Sequence, residues 1–494
     1  MTSLTSQRFA SMMHRVRAIG IGFRRTCLAA AVLLAMPAPA LAHAHLLKTA
    51  PASGATIRIA PTQLVLTFSE APTLAVSTLR LLGPDSAPVS LGTLTHDAGA
   101  NTLAASITGA LRAGRYTVLW QTAGDDGHVQ HGSYSFVIAE GSAGLTPLAA
   151  ATSDATHRDS LRAEAPAAAA RRDSVVAPMQ PAGFDVSSPL YVLVRWVQFA
   201  ALLLLVGAVA FRWWILPRAG TALDDDGRRA LAAGTASAGL WASLLLGLTM
   251  LARLVAQVAT MRGLAGPSPT LDAMLIGTVW GHGWLLEVIA LIVANFALRL
   301  ARRDPTSVTA WRTIATAVAA LAFVPGYSGH AVAERTFAPF TILFDAAHVL
   351  AGGAWLGGLA VIVGVGLPVL RRATAAGRHA AAATMVNAFS PVALTSAAIL
   401  VVTGVVAAVL HVRSFAALTS TAYGEALLVK LAVVLLLVAV GAWNWRRARP
   451  RLATDPGEGT ASLARSARLE LALALVVLLV TAVLVALPTP FSLS

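Results

Sequence analysis

Eight apolar stretches follow one another in the larger, C-terminal part of this chain, and no other feature narrows the fold so far. They lie near 190–216, 230–256, 275–300, 309–327, 341–370, 384–411, 425–445 and 466–487. About 20 apolar residues span the hydrocarbon core as a helix. Lipid offers the backbone no hydrogen-bond partners, so helices that satisfy their own N–H and C=O groups are the expected solution. Residues 187–494 are therefore expected to fold as an all-α polytopic membrane bundle of about eight helices.

The formal net charge of +14 fits this reading. The loops after the first, third, fifth and seventh helices hold Arg218, Arg228 and Arg229; Arg302, Arg303 and Arg312; Arg371, Arg372 and Arg378; and Arg446, Arg447, Arg449 and Arg451. The intervening loops hold mainly Arg262, Arg335 and Arg413. By the positive-inside rule the first set is cytoplasmic, the first helix enters from outside, and the C-terminus is outside. The charge reports topology and a lipid partner rather than nucleic acid.

Residues 1–42 have the parts of a signal peptide: Arg8, Arg15, Arg17, Arg24 and Arg25, an apolar run from Cys27 to Met36, and the small-residue site Ala40-Leu41-Ala42. The single cysteine lies in this leader, so the mature chain is expected to have neither disulfides nor thiolate metal sites. From 43 to 139, short alternating runs such as "TQLVLTFSE", "GRYTVLWQT" and "GSYSFVIAE" predict an all-β, Ig-like (cupredoxin-like) sandwich. Residues 140–186, rich in Ala, Arg, Asp, Ser and Pro without periodicity, read as a flexible linker.

Cleavage after Ala42 would leave His43 as the new N-terminus. Its α-amine and ring Nδ1 could then clamp one metal ion together. In "AGDDGHVQHGSYSFVI", Asp126 and His128 are the best further ligands, since residues two apart in extended chain share a face. A square-planar N/O set of this kind favours Cu(II). His45 and His131 are further candidates, although His131 also fits a polar strand start.

With "HAHLLKTAPASGA", "LTFSEAP" and "DGHVQHGSYSF", the segment from His43 to Ile138 resembles CopC, the periplasmic copper-binding sandwich. That resemblance implies a Cu(II) site made by His43, Asp126 and His128. The Met-rich Cu(I) segment of some members is missing here.

In the membrane half, His282, His330, His348 and His411 are all expected in the outer half of their helices, within reach of a metal delivered from the periplasm. "FDAAHVLAGGAWLGGLAVI" places Asp345 three residues before His348 on one helical face, where it could orient the ring or bind metal itself. In the same stretch Gly353 and Gly357 allow a neighbouring backbone to come close. Together with "YSGHA", "AFSPVALTSAAILVVTG" and "YGEALLVKLAVV", these residues resemble the CopD membrane domain. Members often carry a His in the first helix where this chain reads Gln198, a poor copper ligand. Glu287 and Lys430 are expected in the outer half too, with pairing, snorkelling or proton relay as their roles.

The whole reads as a CopC–CopD fusion in a bacterial inner membrane, with copper as its ligand and cargo and periplasmic copper donors as partners. Cu(II) is expected in the soluble domain and either Cu(I) or Cu(II) in the membrane domain. Its expected function is periplasmic Cu(II) capture and delivery to a fused transport domain, for uptake and copper homeostasis or resistance, without enzymatic activity. A b-type haem electron-transfer protein and a terminal-His copper monooxygenase are the alternatives. No nucleotide-binding motif points to an ATP-driven pump.

Overall fold

The computed structural model describes residues 46–97, 99–124, 129–140, 188–261, 270–327, 338–372, 375–411, 416–448 and 456–487. They divide into two compact units, the sandwich with 255–278 and the remaining membrane spans.

Among the described residues the sandwich has eight strands: β1 (Leu46–Ala50), β2 (Thr56–Ile57), β3 (Gln63–Phe68), β4 (Thr78–Leu82), β5 (Pro88–Val89), β6 (Thr102–Ser106), β7 (Gly114–Ala123) and β8 (Val129–Ile138). One sheet has the order β1-β3-β6 and the other β2-β8-β7-β4-β5. Period-two alternation drives this arrangement. In β3 every second residue, Leu64, Leu66 and Phe68, is buried, and β8 does the same with Tyr134, Phe136 and Ile138. Between the sheets Phe68 meets Trp120 edge-on with centroids 5.3 Å apart, and within the second sheet Tyr116 stacks on its cross-strand partner Phe136 at 5.4 Å. Tyr116 keeps its hydroxyl satisfied in this apolar layer by donating to Arg112 O at 2.9 Å and accepting from Arg112 N at 2.8 Å. Within the same unit, buried Gln121 donates its amide to Met261 O at 3.1 Å, and a Cβ on Gly277 would stand 2.8 Å from Ala75 Cβ.

Among the described residues, eight helices are long and apolar enough to cross a membrane: α1 (Pro189–Ala222), α2 (Asp225–Met261), α3 (Val279–Arg303), α4 (Val308–Tyr327), α5 (Pro339–Leu370), α6 (Gly377–Val409), α7 (Ala422–Arg446) and α8 (Ser462–Ala486). The sandwich and the eight helices both match the sequence expectation. α1 starts where Ser188 Oγ accepts Tyr191 N at 3.2 Å and Pro189 occupies the first turn, where its missing N–H costs nothing. Thr421 caps α7 in the same way, accepting Gly424 N at 3.1 Å.

The tightest approach among the spans joins α1 to α5. A Cβ on Gly357 would overlap Leu203 O, and a Cβ on Gly207 would overlap the Gly357–Gly358 backbone. Gly353 likewise leaves no room for a Cβ beside the Val206 side chain, so the two glycines of α5 serve the close packing expected of them. Side-chain bonds join other spans: Trp196 Nε1 donates to Leu475 O at 2.9 Å, Asn295 Nδ2 to Ser243 Oγ at 2.9 Å, and Asn444 pairs with buried Glu470.

Candidate metal centres

The expected soluble ligands His43, Asp126 and His128, and the further candidate His45, lie outside the described residues. The stretch holding Asp126 and His128 falls in sequence between β7 and β8, which pair from Gly114↔Ile138 to Ala123↔Val129. His131 is described: it is exposed on β8 opposite Gln121. The alternation that buries Tyr134, Phe136 and Ile138 turns His131 to the other face of the sheet.

Of the membrane candidates, His330 lies outside the described residues, and His411 ends its helix with its side chain outside them. His282 is exposed in the first turn of α3, between buried Gly281 and Gly283. His348 is different, because its ring is held among other spans. Its Nδ1 lies 2.8 Å from Thr403 Oγ1 on α6. Thr403 Oγ1 in turn donates to Ile399 O at 2.8 Å.

This chain of bonds fixes the imidazole. Thr403 has one hydroxyl proton and directs it at a backbone carbonyl, so it accepts from Nδ1–H. The neutral ring then carries its lone pair on Nε2, the form that binds a metal. The tautomer follows from the hydrogen-bond network. Gly404 leaves room beside the ring, where a Cβ would come 3.9 Å from Cε1. Lys430 on α7 is near enough to act electrostatically on the same ring.

The sequence pattern offers Asp345 as an orienting partner or as a metal ligand; the Nδ1 partner seen is Thr403, and Asp345 lies beside Gly326 on α4, where a Cβ would stand 3.4 Å from Asp345 Cβ. The sequence alone does not single out Thr403, because threonines within apolar helices commonly bond their own backbone. Its neighbour Gly404 was the one available signal. Among the described residues, no three His, Cys, Asp or Glu side chains gather as a ready ion site.

A second polar cluster crosses α1, α2 and α3. Arg253 Nη1 pairs with Glu287 Oε2 at 2.8 Å, with side chains only 7% and 6% exposed. Gln198 Nε2 donates to Glu287 Oε1 at 3.2 Å, while Gln198 Oε1 accepts from Arg195 Nη1 at 3.2 Å. Gln198 is thus a buried strut between an arginine and a carboxylate. Glu287 pairs with Arg253. Both clusters sit roughly two turns inside the end of the bundle at which α1 begins.

Comparison with known proteins gives three family matches along the chain. The CopC domain matches residues 46–139, the copper resistance protein D-like N-terminal domain matches 185–338, and copper resistance protein D matches 383–484. The copper transport protein CutJ of Bacillus subtilis (strain 168) is 24% identical over 427 residues, covering 85% of this chain and 71% of that protein. Protein YobA of Escherichia coli (strain K12) is 32% identical over 98 residues, 20% of this chain and 79% of YobA. Among solved structures, CopC from Methylosinus trichosporium OB3b is 22% identical with a TM-score of 0.19, covering 20% of this chain and 94% of its own. The methionine-rich copper resistance protein PcoC from Escherichia coli is 28% identical with a TM-score of 0.18, covering 20% and 99%.

Proposed function

Because the chain belongs to the CopC–CopD family of copper-resistance and copper-transport proteins, with both domains in one polypeptide, we propose that it captures Cu(II) in the periplasm and passes copper inward through its membrane bundle. The observation that carries this reading is the order of the family matches: a copper-protein sandwich precedes two membrane segments of copper-resistance families in a single chain. A tether of this kind raises the local concentration of cargo at the bundle, so capture by one domain feeds the other.

In the sandwich, His43, Asp126 and His128 hold Cu(II), with the freed α-amine of His43 as a further donor. In the bundle, His348 receives copper on Nε2, with Thr403 holding the ring. The arginine-rich loops support a location in the bacterial inner membrane with the sandwich and C-terminus periplasmic. The activity is transport rather than covalent catalysis.

The test is copper accumulation by sealed vesicles reconstituted with the full chain, comparing wild type with His348→Ala and measuring Cu(II) on the sandwich of both. Wild type should accumulate copper, and His348→Ala should fall at least about tenfold while its sandwich stays loaded; a tenfold loss corresponds to ~1.4 kcal/mol. Equal accumulation by both proteins removes His348 from the path. Wild-type uptake no higher than in empty vesicles overturns inward transport.

A further inference from the structure

Among the described residues, the cluster across α1, α2 and α3 does not balance its charge. Arg195 and Arg253 bring two positive charges, and among the described residues Glu287 is the one carboxylate that acts on either guanidinium. Both Glu287 oxygens are already engaged, one by Arg253 and the other by Gln198. The other neighbours are neutral. Tyr191 offers Arg253 a phenol, and the Phe199 ring lies 4.9 Å from the Arg195 guanidinium carbon.

Two donors within this cluster also lack acceptors. Arg195 Nε and Arg253 Nε are buried without a hydrogen-bond partner, and Arg253 as a whole is 6% exposed. A charged donor taken out of water without an acceptor is strongly disfavoured, and an excess charge among apolar helices more so. One ligand property answers both deficits: a single negative charge with lone pairs that accept N–H.

We propose that Arg195 and Arg253 hold a small monovalent anion between α1 and α2, either a free halide or the phosphodiester of an anionic lipid. Both carry the one charge that the cluster lacks. Arg195 sits about two turns inside the start of α1, which is within reach of a headgroup as well as of a dissolved ion. The assignment is independent of the copper reading, because none of the residues involved is a proposed copper ligand.

The test uses the purified full chain in nanodiscs, with thermal midpoints read in sodium chloride, sodium bromide and sodium gluconate at one ionic strength. Discs of zwitterionic phosphatidylcholine are compared with discs containing phosphatidylglycerol. A saturable rise of several degrees with halide in zwitterionic discs identifies a free anion. A rise with phosphatidylglycerol in gluconate, to which halide adds nothing, identifies the lipid phosphodiester.

Arg195→Gln removes the excess charge but leaves the Arg253–Glu287 pair. It should abolish either response and be more stable than wild type when no anion is supplied. If Arg195 were merely a structural pin, the variant would be less stable in every condition and the anion response would persist. No response of wild type to halide or anionic lipid, or an unchanged response in Arg195→Gln, overturns the proposal. Should Arg195→Gln fail to fold, anomalous scattering from wild-type crystals grown with bromide and with phosphatidylglycerol decides. Bromide or a lipid phosphate beside the two guanidiniums supports the assignment, and neither rejects it.

Discussion

Thr403 shows how one hydroxyl can decide what a histidine does. By accepting from Nδ1 and spending its own proton on Ile399 O, it keeps the Nε2 lone pair of His348 available. Thr403→Val retains the shape but frees the ring to rotate and change tautomer. It should weaken copper binding in the bundle roughly 10- to 100-fold, the usual cost of losing such an outer partner, as measured by competition titration of the full chain with the sandwich site already saturated. His348 was legible in the sequence as an ionisable group inside an apolar run, but its partner was not, because the threonine lies on another helix and no local spacing links the two. Gln198 illustrates the same limit. As a sequence it is a missing histidine; in the fold it joins Arg195 to Glu287. The sequence signals were the arginines themselves, in "RWVQ" and "RLVAQ", each set inside an otherwise apolar run.

At the scale of elements, the strands and spans follow from simple periodicities. Alternation in β3 and β8 sorts core from surface, and unbroken apolar length sets the eight helices. Which helix lies against which depends on complementary small residues far apart in sequence: Gly353 and Gly357 announced a close approach, but Gly207 had to be found on α1. At this contact Gly357→Ala would drive a methyl into Leu203 O. We expect it to cost ~1–3 kcal/mol, typical of overpacking, and to lower the thermal midpoint in detergent. Gly364→Ala, on the same helix with nothing within 4 Å of the added methyl, should not lower the midpoint.

For the whole molecule, the proposed loading step answers to pH. The His43 amine, the His43 ring and the His128 ring must each be free of protons to bind copper, with unperturbed pKa values of about 8 for the amine and about 6.5 for the rings. Acid restores those protons, so Cu(II) affinity should fall by more than tenfold between about pH 7.5 and about pH 5.5, as followed by competition with a chelator of known proton affinity. The close seam of α1 and α5 bears on what can happen after loading. Two backbones in direct contact have no layer of side chains to shear, so we expect these helices to move together. The core window of α5 is 56% buried, whereas those of α6 and α7 are 11% buried. In the proposed transport, we expect any opening for an ion beside His348 to come from Thr403 and Lys430 moving with α6 and α7, while the histidine stays with α5.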